Sequence, residues 1–249
     1  MEEVVQLTEA DIPRAQTAGE IPVIEKVEWL VMRGEFWVVG AQAGAGKTDL
    51  LCTAAGLLRP VKGSQRLFGR DLDTMTEEEL VQTRLRIAMV FESGRLFKGL
   101  TVAQNIALPL SYHHELPPQE LARRVTNALE RTGLVPWQNK RPDQITRNLH
   151  QRVGLARALA LNPEVLVIDN PLATIDPRQA RWWVDFLCES QKNMTIIVAV
   201  ADFRPWLDVG REFALIKERH MEVIGDREAI RESKDELVRE LLSPAFGGG

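Results

Sequence analysis

Gly44, Gly46, Lys47 and Thr48 stand close together just after an apolar run, and their types suit the binding of a phosphate. Glycines let backbone N–H groups close on an anion, a lysine supplies a point charge, and a hydroxyl can ligate Mg²⁺. Ala45 and Asp49 complete the stretch expected to contact a nucleotide. The strict pattern G-x-x-x-x-G-K-[ST] asks for glycine at position 41, where the chain has Ala41, with Gly40 one place early. A second acid, Asp169, ends the run Val165-Leu166-Val167-Ile168 and could hold the same Mg²⁺ through water. A glycine-rich loop can also carry a lysine incidentally. What argues for phosphate is the strand before it, the helix after it and the strand that ends in an acid.

These residues need a rigid frame. Phe36 to Gly40 reads as a buried strand ending at the loop, and a helix is expected from about Gly46 to Gly56, its positive end facing the anion. Val165 to Ile168 and Thr195 to Val200 are β-branched runs without alternation, as in strands buried on both faces. Thr76 and Glu79 predict a capping box at a helix start, and Ser233 and Glu236 predict another near the C-terminus. Pro117-Pro118 opens a helix that stops at Gly133, with Leu121, Val125 and Ala128 on one face. Leu149, Val153, Ala156 and Ala160 mark a second helical stripe, stopped by Asn162-Pro163. The order of elements predicts an α/β phosphate-loop core with a helical insertion at roughly 93–160.

The chain of 249 residues is 45% hydrophobic and 27% charged, ordinary for a soluble globular protein. A net charge of −4 argues against a nucleic-acid partner held by bulk charge. Cys52 and Cys188 lack metal or redox spacing and read as buried thiols in a reducing compartment. The acidic start Met-Glu-Glu-Val-Val has no apolar segment of a secretory leader, and no apolar run reaches bilayer length. Membrane contact is expected only through a partner.

Over nearly its whole length the chain resembles the ATP-binding subunits of ABC transporters. RGEFWVVGAQAGAGKTDLL fits their Walker A region without gaps, and IAMVFESGRLFKGLTVAQNIALPL their Q-loop region. RPDQITRNLHQRVGLARALALNPEVLVIDNPLATIDP follows the order of signature, Walker B and D-loop, and TIIVAVADF sits where the H-loop strand belongs. FESGRLF and the tail IGDREAIRESKDELVRELL are most similar to the ATPases of Mla/Mce-type phospholipid transport systems. The resemblance implies a P-loop core with a parallel sheet, an antiparallel β arm and a helical subdomain. It implies a nucleotide-binding domain over 1–225 and a helical tail over 226–249. It implies ATP and Mg²⁺ as cofactors, the metal held by Thr48, Asp169 and Glu92. It implies a second ATP-binding subunit, as a homodimer, with Thr146, Arg147, Asn148 and Asp176 at the dimer face. It also implies a permease docked on Ser93 to Leu110, and a place on the cytoplasmic face of the cell membrane.

Set against the family, several positions differ. The Q-loop glutamine is replaced by Glu92, the catalytic glutamate after the Walker B acid by Asn170, and the H-loop histidine by Ala201. The signature Leu-Ser-Gly-Gly-Gln reads Ile145-Thr146-Arg147-Asn148-Leu149, and Ala10-Asp11-Ile12-Pro13-Arg14 offers no aromatic to stack on adenine. An amide takes no proton from water, and losing a general base typically costs about 10²–10⁴-fold. No catalytic set is intact. The surviving residues hold phosphate and metal, while the lost ones position water and sense the γ-phosphate. The leading expectation is an ATP-binding subunit that hydrolyses poorly or not at all. One alternative is a slow ATPase in which Glu92 serves as base. Another is a non-transport ABC protein, for example in DNA maintenance, against which the absence of basic patches weighs.

Some residues have blander readings. His113-His114-Glu115 reads as a solvated loop and Trp182-Trp183 as packing. Arg147 reads as a solvated arginine, or else as a cation that pairs across a dimer with Glu92 or Asp169.

Overall fold

Strands without polar faces form the middle of the molecule because backbone groups buried on both sides must find all their partners in a sheet. The computed structural model describes residues 2–15, 21–113, 115–173 and 175–243. In chain order, the first part of the chain comprises β1 (Glu3–Ile12), β2 (Ile24–Met32), β3 (Phe36–Ala41), α1 (Lys47–Ala54), β4 (Lys62–Leu67), β5 (Arg70–Asp71), α2 (Glu77–Leu85) and β6 (Ile87–Val90). Then come α3 (Val102–His113), α4 (Pro118–Arg131), α5 (Arg147–Ala160), β7 (Val165–Asp169), α6 (Pro177–Ser190), β8 (Thr195–Val200), β9 (Glu212–Lys217), β10 (His220–Gly225), α7 (Arg227–Glu232) and α8 (Glu236–Leu242).

The main sheet has the order β10-β9-β3-β8-β7-β6, parallel from β9 to β6, with β10 antiparallel at one edge. Every residue of β3, β7 and β8 is buried. A separate antiparallel sheet, β2-β1-β4-β5, forms the arm, and β2 alternates between buried and open positions as a one-sided strand should. The fold is therefore a P-loop α/β core with an antiparallel arm and packed helices. α3, α4 and α5 share their own core, which includes Val102, Ile106, Leu129 and Val153. Val125, Ala128, Leu149, Ala156 and Ala160 are buried there as their periodicity predicts.

Three expectations need correction. The N-cap of α8 is Asp235, not Ser233: its carboxylate accepts from the N–H groups of Leu237 and Val238 while Lys217 pairs with its other oxygen. A carboxylate is the stronger acceptor, so it takes the cap from the hydroxyl two positions earlier. Cys188 is exposed on α6, and only Cys52 is buried. His113 ends α3 rather than lying in a loop, and His114 falls outside the described residues. Among the described residues no helix is long and apolar enough to cross a membrane, and no group of three or more His, Cys, Asp or Glu could hold a metal.

Candidate phosphate-binding site

β3 delivers the chain to the loop, and α1 takes it away. Gly46 is the N-cap of α1 with φ 95°, a left-handed conformation that favours glycine. No side chain caps this helix start, so its first turn keeps backbone N–H groups available to a ligand. Lys47 reaches back along the loop, donating from Nζ to the carbonyls of Ala41 at 2.6 Å and Gln42 at 2.9 Å. Burial lowers its pKa, while the charges of Asp169 and Glu92 pull it the other way.

Thr48 Oγ1 donates to Asp169 Oδ2 at 2.6 Å, joining the helix start to the end of β7. Burial raises the Asp169 pKa, the Thr48 hydrogen bond opposes that, and the Glu92 charge adds to it. Gln151 on α5 donates to the Asp169 backbone carbonyl at 2.6 Å and is itself buried. Sequence reading missed Gln151. Its only signal was an amide between Leu149 and Val153 in an apolar stripe.

Asn170 follows in a left-handed conformation, φ 46°, which asparagine tolerates better than most residues. Its Nδ2 donates to Glu92 Oε2 at 3.2 Å, so Asn170 and Glu92 meet as an amide and a carboxylate. Behind Glu92, Arg157 of α5 donates to the carbonyls of Gly94 at 2.8 Å and Arg95 at 3.1 Å. That clamp was also invisible in the sequence, since it links positions 62 and 63 apart. Ala201 is exposed and brings no polar group; the neighbouring Asp202 is bound to its own Arg204 at 2.9 Å.

Other expected residues are engaged elsewhere or exposed. Asp49 Oδ1 accepts from the backbone N–H of Ala15 at 2.8 Å. Thr146 precedes α5 but does not cap it, its hydroxyl turning to Asn148 Oδ1 instead. Arg147 opens α5 and is exposed. Asp176 caps α6 by accepting from Gln179 N–H at 3.0 Å. Among the described residues, no hydrogen bond or ion pair joins Thr146, Arg147, Asn148 or Asp176 to the Lys47–Thr48–Asp169 group.

A glycine-capped helix after a buried strand, with a lysine and a strand-end acid, offers the groups that a phosphate cradle needs. Residues 24–173 match the sequence profile of the ABC transporter family. The chain belongs to that family. It is 32% identical to the methionine import ATP-binding protein MetN of Caulobacter vibrioides, over 97% of this chain and 76% of that one. It spans between 41% and 76% of the length of the curated MetN relatives it matches. Among solved structures, CbiO1 of Clostridium perfringens, described as part of the ABC transporter complex CbiONQ, superposes with a TM-score of 0.80. It shares 24% identity and is matched over 97% of this chain and 95% of its own. The ATP-binding cassette MJ0796, solved as a dimer in a post-hydrolysis state with ADP and Pi, has a TM-score of 0.79 and 24% identity. The match covers 88% of this chain and 98% of that one.

Proposed function

We propose that the chain is the nucleotide-binding subunit of a membrane transporter, that it binds Mg-ATP, and that it turns ATP over poorly. One observation carries this reading. Lys47, Thr48 and Asp169 remain joined as a cradle, while the position after Asp169 is an amide already hydrogen-bonded to Glu92. The backbone N–H groups of Gly44, Ala45, Gly46, Lys47 and Thr48 would take the phosphates. Thr48 Oγ1 and Asp169 Oδ2 are hard oxygens of the kind Mg²⁺ takes, with the exposed Glu92 as a further oxygen donor. When bound, the ion would neutralise phosphate charge. Asn170 can orient water but takes no proton from it.

A homodimer facing through Thr146 to Asn148 and Asp176, and a permease on Ser93 to Leu110, complete the reading. They place the chain on the inner face of the membrane through its partners. The lipid (Mla/Mce-like) class rests on FESGRLF and the C-terminal segment, whereas the MetN relatives carry methionine in their name. A second reading is favoured by the Asn170–Glu92 bond: among the described residues Glu92 Oε1 has no hydrogen-bond partner, so Glu92 is the carboxylate open to water for slow turnover.

Phosphate release by the purified complex tests both, with Lys47→Ala and Glu92→Gln alongside. The first reading expects wild type and Lys47→Ala to release phosphate equally slowly while only wild type binds Mg-ATP by calorimetry. A rate that needs Lys47 and falls at least about 10²-fold in Glu92→Gln favours the second. Absence of binding at millimolar Mg-ATP overturns both.

A further inference from the structure

We propose that Asp49 sets a fixed repelling charge at the phosphate loop, its carboxylate lowering the affinity of the loop for a nucleoside triphosphate; this rests on the reading of the loop as a nucleotide site. With Gly46 as N-cap, Lys47, Thr48 and Asp49 form the first turn of α1, and Asp49 is the acid in that turn. The free N–H groups and positive end of a helix attract any anion there, whether side chain or ligand. Lys47 and Thr48 serve a phosphate as cation and hydroxyl. The Asp49 carboxylate offers acceptors only, so a phosphate oxygen finds no donor from it and meets a like charge.

The position of that charge is fixed from elsewhere in the chain. Ala15, 34 positions away, donates its backbone N–H to Asp49 Oδ1 at 2.8 Å. On the same side of the helix start, Val23 and Ile24 close on Gly46, where an added Cβ would lie 2.9 Å from a Val23 methyl. Ala15 thus meets the first turn of α1 and Val23 its N-cap, and Asp49 cannot swing far without giving up its backbone donor. A side chain held this way stays at the first turn of α1 when a ligand arrives. Like charges a few ångströms apart repel at a protein surface strongly enough that an affinity loss of about tenfold lies within range.

Calorimetry with Mg-ATP and with AMP on wild type, Asp49→Asn and Lys47→Ala/Asp49→Asn tests this. Asp49→Asn keeps the side-chain shape and an oxygen for the Ala15 N–H while removing the charge. Its Kd for Mg-ATP is expected to fall about tenfold at low salt, with a smaller gain for AMP. The gain should shrink as salt rises from about 0.05 M to about 0.5 M, because screening weakens the repulsion. The double variant should lose binding. An unchanged or weaker Kd in Asp49→Asn overturns the proposal and leaves nucleotide binding by wild type standing. A gain that ignores salt overturns it too, since release of the Ala15 segment would then be the cause. If neither wild type nor Asp49→Asn binds Mg-ATP, both the proposal and the nucleotide site fall.

Discussion

Asp169 is the residue in the cradle that the ligand-free protein holds at a cost. Burial at the end of β7 raises its pKa above the ordinary 3.8, more than the Thr48 hydrogen bond lowers it. A carboxyl whose folded pKa is raised contributes stability that is fully present below the unfolded pKa. That stability is lost as pH rises through the folded pKa. At neutral pH the ionised group therefore destabilises the empty site, and a bound cation would relieve it. Asp169→Asn imitates the protonated acid. It is expected to raise the Tm of the ligand-free protein at pH 7 by a few degrees, on a scale of about 2–4 °C per kcal/mol for a chain of this size. The difference from wild type should close as pH falls below the ordinary carboxyl range. The same variant should lose the rise in Tm that Mg-ATP gives wild type. A ligand-free Asp169→Asn that melts below wild type at pH 7 contradicts this account. At this scale Lys47, Thr48 and Asp169 were legible because each carries its own chemistry at a fixed distance from a strand end. The engagement of Asp49 by Ala15 was not, because it depends on where the segment between two strands of the arm comes to rest.

The elements meet most tightly where the segment after β6 crosses α5. Gly94 has φ 70°, and a Cβ there would lie 2.1 Å from the carbonyl oxygen of His150. Gly154 faces it from the next turn of α5, and Arg157 holds the Gly94 carbonyl. The two glycines let the segment carrying Glu92 lie flat on the helix that begins at Arg147. Gly94→Ala meets both a left-handed backbone and a backbone clash, so it should cost about 2–4 kcal/mol in urea unfolding. Gly99→Ala is the control, since a Cβ there meets nothing within 4 Å, and it should stay within about 0.5 kcal/mol of wild type. Equal losses in the two variants would refute the role of this crossing. Individual elements had been plain in the sequence: β8 spans the predicted Thr195–Val200, and the Thr76–Glu79 box forms in both directions. Their mutual contacts had not, because nothing in a helix pattern says which of its residues will meet a distant loop. The same holds for the second predicted box, where Asp235 rather than Ser233 does the capping because Lys217 on β9 is there to share its charge.

Across the whole molecule, the C-terminal helices share the core of the main sheet. Leu237, Val238 and Leu241 of α8 are buried in one cluster with Phe36, Val38 and Phe203. The Leu241 carbonyl accepts from the Phe203 N–H at 2.9 Å. The Phe203 ring in turn fills the space a Cβ on Gly40 would need, at the strand end that leads into the phosphate loop. Gln42 of the loop also reaches Glu240 at 3.2 Å. A tail that merely trailed from the domain would have none of these contacts. Leu241→Ala removes a buried side chain and should cost about 2–4 kcal/mol in a single unfolding transition that includes α8. The path from Leu241 through Phe203 to Gly40 also predicts that occupancy of the loop is felt in α8. Saturating Mg-ATP should slow hydrogen exchange at the α8 amides of wild type, because local opening of α8 would break contacts that support the occupied loop. Leu241→Ala should weaken Mg-ATP binding, whereas Glu240→Gln, at the exposed surface, should leave stability within about 0.5 kcal/mol. Exchange in α8 that is indifferent to Mg-ATP, together with full affinity in Leu241→Ala, would show that the helix supports the sheet alone and has no hold on the loop.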